Sequence, residues 1–425
     1  MSADALPTLP SNRVAVVLMI DGLRADMLGP YGNTWLDTPR FNRLASEAAM
    51  FEHVWSDSPH LSAAIASVLS GMPARPSSPE TSGDSQSVTE ALPSLLRRAG
   101  VACRLLTDSA EVAQSKVAAE FDTCVLVPDE PVLDAAMSLE QTAMARLAST
   151  AAEMIEQLDA SAATLLWIHA RGMFGPWDAP TDLRHQFADD DDPLPDDFVE
   201  PPEQRLTAPA DPDELLKLTH AYAGQVTVID ECLAVIMAAI DSRASDTPPL
   251  VIVTSPRGYP LGEHGRIGLC DAALYGELLQ VPLFIRDADT AHVMSRSQSL
   301  VQTRDLFTTL RTWFMESTTN EAIGWSRDLL PLLEQEEAAD QQRLAVFTDT
   351  ESAVRTPSWF LRHDSSRDEL FVKPDDRWEV NEIADRCATQ LEQIKAVETQ
   401  LRDAIGHPQP PALPPLPEEL YLPPN

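Results

Sequence analysis

Val14-Ala15-Val16-Val17-Leu18-Met19-Ile20 is an unbroken apolar run that stops at Asp21-Gly22. A strand wetted on one face alternates apolar and polar residues, whereas one buried on both faces reads as a continuous β-branched and apolar stretch. The run therefore predicts a central strand of a parallel sheet. Similar runs recur at Ala102–Thr107, Cys124–Val127, Thr164–Ile168, Leu250–Thr254 and Pro282–Ile285. Helical patterns separate them. Thr89 is an N-cap candidate for an amphipathic stretch that ends at Gly100, and Leu215–Ile240 is a second, longer one. Strand–helix alternation of this kind predicts an α/β fold, a mostly parallel sheet sandwiched by helices.

Beyond residue 335 the rhythm changes. Leu344–Asp349, Pro357–Arg362 and Glu369–Lys373 are short and spaced for an antiparallel meander, and Arg377–Gly406 reads as a closing helix. The expected organisation is a main domain over 13–335, a smaller C-terminal α+β subdomain over 336–407 and a Pro-rich tail over 408–425. That tail, beginning Pro408-Gln-Pro-Pro-Ala-Leu-Pro-Pro-Leu-Pro, is expected to be a polyproline arm on the surface or disordered. Ala188–Pro212, with Asp189–Asp192 and six prolines, reads as a loop whose like charges repel.

Composition narrows the function classes. Among 425 residues, 31 Lys+Arg face 66 Asp+Glu, a formal net charge of −35, so nucleic acid and anionic membranes would repel the chain. At 44% apolar the chain can bury a large core, which excludes global disorder. The five cysteines (103, 124, 232, 270 and 387) form no C-x-x-C pair and support neither a disulfide framework nor a zinc site. The first residues have no basic or long apolar stretch, and the expectation is a cytoplasmic protein.

Several segments together resemble the sulfatase family of the alkaline phosphatase superfamily. Val17-Leu-Met-Ile-Asp-Gly-Leu-Arg-Ala-Asp26 with Tyr31-Gly32 is similar to its opening strand and metal-bearing loop. Thr38-Pro-Arg-Phe-Asn-Arg-Leu-Ala-Ser-Glu47 is similar to its first helix, and Ser67-Val-Leu-Ser-Gly71 to the end of its nucleophile helix. Leu261-Gly-Glu-His-Gly265, Leu274-Tyr-Gly-Glu-Leu-Leu-Gln-Val-Pro282 and Leu329-Leu-Pro-Leu-Leu333 follow in the family's order, as does the closing pattern Val354-Arg-Thr, Glu369-Leu-Phe and Asn381-Glu-Ile-Ala384. The resemblance implies an alkaline-phosphatase-like fold. It also implies a Cys or Ser nucleophile (the Cys usually converted to formylglycine) beside a divalent cation, usually calcium, that is held by oxygen ligands.

The positions carried over by that resemblance depart from the chemistry. Counting back from Gly71 puts Leu61 at the nucleophile and Ile65 at the sulfate-binding Arg. Where the family carries Asp-His-Gly or Asp-Asn-Gly, the chain reads Pro256-Arg257-Gly258, so only Asp21 remains of the metal ligands. A hard dication wants about six oxygens, and the expectation is that the cation is lost. Arg257 is expected to project a guanidinium into the vacated volume and pair with Asp21.

The residual pocket would hold Asp21, Ser62, His169, Arg257, Glu263 and His264, with Trp167, Phe174 and Trp177 filling the space around His169. Glu263 and His264 are expected to stabilise their loop, and His169 to be a core histidine. The sequence thus points to a catalytically inactive sulfatase homologue that binds a protein partner or a small anion. The alternative is an active sulfate or phosphate ester hydrolase with a rearranged site using Ser62, His169 and His264.

Overall fold

A computed structural model describes residues 12–75, 90–128, 130–195, 197–207, 210–243, 248–315, 324–334 and 342–422. The chain divides into two compact units. The first takes its described residues from 1–50, 93–269 and 281–296, and the second from 51–92, 270–280 and 297–425.

In the first unit six strands lie side by side in the order Gln280–Arg286, Leu250–Thr254, Val14–Ile20, Thr164–Ala170, Ala102–Thr107, Thr123–Leu126. All neighbours are parallel except Leu250–Thr254 with Gln280–Arg286, which run antiparallel. Every residue of Val14–Ile20 is buried, as its unbroken apolar run predicts. Val14, Val16, Leu18 and Ile20 share one core with the helices Pro39–Glu47, Ala143–Glu156 and Pro212–Asp241. The last of these is 30 residues long, opens on Pro212 and is capped by Asp211, whose side chain accepts from the Asp213 amide. Its apolar window is long enough to cross a bilayer by composition, and 67% of that window is buried inside the protein. Asp230, half-way along it, accepts hydrogen bonds from the amides of Arg40 and Phe41, satisfying the N-terminus of Pro39–Glu47.

The register aligns the strand ends. Met19 lies opposite both His169 and Thr254, and Thr107 lies opposite His169. Asp21, Asp108, Arg171 and the turn Ser255–Gly258 therefore all follow the C-terminal ends of neighbouring strands, which is where open α/β sheets place their ligands.

The second unit contains the helix Leu61–Ser70 and a four-stranded antiparallel meander, Leu344–Phe347, Glu351–Arg355, Trp359–Asp364 and Asp368–Val372, with Ala388–Ile405 against it. Ala49–Trp55 and Arg296–Gln302 are neighbouring strands. Both escape the apolar-run criterion because charged or polar residues such as Glu52, His53 and Gln298 interrupt them. Glu351–Arg355 escapes it too, so the meander has four strands where sequence reading finds three. Ala388–Ile405 starts eleven residues later than Arg377, because Asp375–Arg386 forms turns and one short helical turn instead. Leu92–Arg98 is the helix expected after Thr89, and Thr89 itself lies outside the described residues.

Of the two expectations for the Pro-rich stretch, an arm on the surface describes it and disorder does not: most of 408–415 is exposed, and Leu416 and Leu420 fasten it by burial in the core formed by the meander and the Ala388–Ile405 helix.

Candidate functional site

Asp21 is 1% exposed, and its two carboxylate oxygens each accept from Arg257, Nε to Oδ1 at 2.9 Å and Nη2 to Oδ2 at 2.9 Å. This is the two-point fork that a guanidinium makes with a carboxylate. Both loops are held by their backbones: the Gly22 amide donates to the Arg257 carbonyl at 3.2 Å, and the Asp21 carbonyl accepts from the Met173 amide at 2.8 Å. Gly22 sits at φ 76°, and a Cβ there would lie 2.8 Å from the Met173 Cβ. Gly172, at φ 53°, leaves room for the Asp21 carbonyl, which a Cβ would meet at 2.3 Å. The two glycines thus let the first loop and the Gly172–Phe174 turn close on each other. Burial pushes the Asp21 carboxyl up from its ordinary value, with the Arg257 charge pulling the other way.

Phe174 packs beside this pair, and Trp177 lies in the aromatic cluster behind it. The Arg257 guanidinium carbon stands 4.2 Å from the Phe174 ring centroid, an attractive cation–π geometry. Phe174, Trp177, Tyr222 and Tyr259 form a continuous aromatic cluster with centroid separations of 5.1 to 5.9 Å. Trp167 does not join them. Two residues before His169 on the same strand, it shares that residue's face, and its ring packs on Phe121.

His169 is fully buried. Its Nδ1 lies 3.2 Å from Thr107 Oγ1, and among the described residues its Nε2 has no hydrogen-bond partner. Burial, reinforced by the positive charge of Arg257, holds its pKa down to about 3, so the ring is neutral at physiological pH. A second pair stands next along the edge. Asp108 accepts from the Arg171 amide at 2.8 Å and faces the Arg171 Nε at 3.5 Å.

Glu263 is engaged at both of its carboxylate oxygens. Its Oε1 accepts from Arg24 Nη1 at 2.7 Å and its Oε2 from the Leu261 amide at 2.7 Å, closing its own loop. Arg24 also forks onto Asp26 at 2.9 and 2.6 Å. Its pKa is raised: burial works against the charge, and Asp26 and Glu263 outweigh it. His264 adopts a left-handed φ of 51°, and its carbonyl accepts from Arg266 Nη1 at 2.9 Å. Sequence reading missed Arg24, Asp108 and Arg171: Asp26 is a local partner of Arg24, but Glu263 lies 239 residues from it and Asp108 lies 63 from Arg171, with no spacing to signal either link.

In the second unit, Leu61 and Ile65 are buried on one face of Leu61–Ser70, four residues apart, while Ser62 is exposed. One residue of helix turns a side chain by about 100°, so the hydroxyl faces away from the side that Leu61 occupies. Asp57, just upstream, is buried and paired with Arg304, and it also accepts from the Arg304 amide at 3.1 Å.

A protein-family model described as Sulfatase matches residues 13–316. The chain belongs to the sulfatase family. A stretch of 134 residues is 29% identical to the multifunctional alkaline phosphatase superfamily protein PehA of Trinickia caryophylli; it covers 31% of this chain and only 25% of that protein. The phosphonate monoester hydrolase of Agrobacterium radiobacter superposes with a TM-score of 0.72 at 17% identity, over 92% of this chain and 95% of that one. A 2-O GAG sulfatase superposes at 0.69 and 14% identity, over 93% of each chain. At such identities the likeness shows the fold, the alkaline-phosphatase-like one.

Within this sulfatase-family fold, the residues around Asp21 do not fit the divalent cation that the family implies. Both Asp21 oxygens are engaged by a guanidinium, so a dication bound there would face a like charge at about ion-pair distance. The turn that follows Leu250–Thr254 supplies Pro256 and Arg257, neither of which offers a side-chain oxygen ligand.

Proposed function

We propose that this sulfatase-family chain is catalytically inactive and serves as a binding or interaction module, cytoplasmic and free of a divalent cation. The observation that carries this reading is the Arg257 fork on Asp21. On this reading Arg257 puts a fixed positive charge in place of the family's Lewis acid, and unlike a metal ion it cannot bind water and lower its pKa. Leu61 supports the same reading, since a hydrocarbon side chain has no atom with which to attack an ester. Ser62 is a poor replacement, being exposed on the other side of the helix turn.

The binding reading follows from what remains. On this reading a small anion or the acidic end of a protein partner would be met by the Arg257 guanidinium beside Phe174 and would have to share it with Asp21. The acidic excess of the whole chain works against nucleic acid and membranes as partners.

The test incubates purified protein with an aryl sulfate, an aryl phosphate and a phosphonate monoester, each with Ca²⁺, Mg²⁺, Mn²⁺ or Zn²⁺, alongside metal analysis of the protein. No turnover above the buffer rate and no stoichiometric metal are expected. Metal-dependent turnover that Ser62→Ala abolishes would establish the rearranged hydrolase instead.

A further inference from the structure

Arg355, at the end of the second strand of the meander, is the charged member of an apolar row. It lies opposite Leu344 on one side and Phe360 on the other, and Phe360 lies opposite Phe371. Residues paired across a sheet share a face, so the guanidinium stands on the face whose side chains build the Trp55–Phe360–Phe371 core. Arg355 is 4% exposed. The other buried arginines among the described residues are satisfied: Arg24, Arg304 and Arg362 by carboxylates, and Arg184 by backbone carbonyls. The Arg355 side chain has a single partner among the described residues, the Trp359 carbonyl, 3.3 Å from Nη1. Its Nε and Nη2 have none, and neither is sealed from water as the unpartnered Nε of Arg362 is.

Glu379, the carboxylate whose charge acts on Arg355, is already committed, to Lys373 Nζ at 2.7 Å and to the Gly276 amide at 2.7 Å. Burial accordingly pushes Arg355 down to about 9 despite that charge. Two further basic groups gather around the same ring. Lys373 Nζ stands 5.6 Å from the Phe360 centroid. Trp55 meets Phe360 edge-on at 5.1 Å, and His53, two residues earlier on its strand, shares its face. Burial, with Arg355 and Lys373 adding to it, holds His53 down to about 4, so its ring is neutral at physiological pH.

A buried cation without a counter-charge is costly, and an anion that binds it removes the cost. The Nε–Nη2 edge is the one with which Arg257 grips Asp21, and it suits two oxygens at once. A neutral imidazole adds one N–H for a third oxygen. We propose that Arg355 and His53 form a binding site in the second unit for a small tetrahedral oxyanion, sulfate or phosphate. Two of its oxygens accept from Arg355 Nε and Nη2, and a third accepts from the His53 ring. A carboxylate has no third oxygen, and the slight exposure of Arg355 admits a compact ion rather than a large ligand. The site shares no residue with the Asp21–Arg257 pair and stands whether or not that pair takes an anion.

The experiment uses the full chain in a buffer free of sulfate and phosphate. Sodium sulfate, phosphate or acetate is titrated at fixed ionic strength and followed by calorimetry. Saturable binding of sulfate or phosphate at one ion per chain is expected, with acetate roughly tenfold weaker for want of the third hydrogen bond. Arg355→Met is expected to bind roughly tenfold more weakly, since the charge-assisted fork is gone, and Asp21→Asn/Arg257→Leu to bind as the wild type does. An absence of saturable binding overturns the proposal, as does acetate that binds as tightly or affinity undiminished in Arg355→Met. Binding lost in Asp21→Asn/Arg257→Leu overturns it too, by locating the anion in the first unit. Should Arg355→Met fail to fold, the wild type decides. With ¹⁵N-labelled histidine, the His53 ring signal, identified by its loss in His53→Gln, is expected to shift with sulfate along the calorimetric binding curve. A signal that stays in place overturns the proposal.

Discussion

Asp21 and Arg24 stand three residues apart on one loop and answer the burial of charge in opposite ways. Asp21, at 1% exposure, has one cationic partner and is itself sealed from water. Arg24, at 3% exposure, has two anionic partners, Asp26 and Glu263, whose side chains are 14% and 29% exposed. The difference lies in where the leftover charge goes if the partnership is broken. An orphaned Asp21 would remain buried and unsolvated. An orphaned Asp26 or Glu263 could turn to water. The first arrangement is brittle and the second tolerant, although both look like buried ion pairs.

Breaking the brittle pair gives the largest expected effect. Arg257→Leu should destabilise the protein by about 3–5 kcal/mol, the range for stranding a buried charge, as measured by urea unfolding. Neutralising the stranded partner as well, in Asp21→Asn/Arg257→Leu, should recover most of that loss. A double variant no more stable than the single one would show that packing, rather than charge, holds these loops together. The tolerant cluster should lose less. Arg24→Leu is expected to cost roughly 1–3 kcal/mol, and a loss equal to that of Arg257→Leu would erase the distinction.

The last effect is a slope that vanishes at neutral pH. His169 is held at about 3 in the folded protein and titrates near 6.5 in an unfolded chain. Between those values the unfolded state binds the proton and the native state does not. The contribution of His169 to stability is therefore complete above pH 6.5 and is lost as pH falls towards 3. Replacing it, as in His169→Gln, should remove up to one proton from this dependence, about 1.4 kcal/mol per pH unit, in unfolding free energies measured between pH 4 and 6. His53, held at about 4 by burial and by Arg355 and Lys373, adds a slope of the same sign, so the variant must be compared with wild type. Asp21 works in the opposite sense. Its raised pKa means that the native state holds the proton more tightly, so its contribution declines as pH rises through the folded value.

Much of this architecture could be read from the chain, and the reasons are specific. Val14–Ile20 and Leu250–Thr254 declare themselves because strands buried on both faces must be apolar at every position. The Asp21–Arg257 pairing could be anticipated only through the family resemblance, whose fold sets the loops after those two strands side by side. Ala49–Trp55 and Glu351–Arg355 could not, since residues such as Glu52 and Glu351 break the apolar pattern. The Arg24–Glu263 link crosses 239 residues with no local trace. The docking of Leu416 and Leu420 was hidden for another reason: proline-rich sequence reads as unstructured when its order comes entirely from a groove built elsewhere.

The buried arginines also bear on the molecule in solution. Arg24, Arg184, Arg355 and Arg362 are each 4% exposed or less, so their charge is withdrawn from the surface. With 66 Asp+Glu against 31 Lys+Arg in the chain, the balance of charge left to meet solvent is strongly negative. Ionic strength then governs how closely two copies can approach. In dilute buffer the repulsion reaches across a screening distance of about 30 Å, and at physiological salt that distance shrinks to about 8 Å.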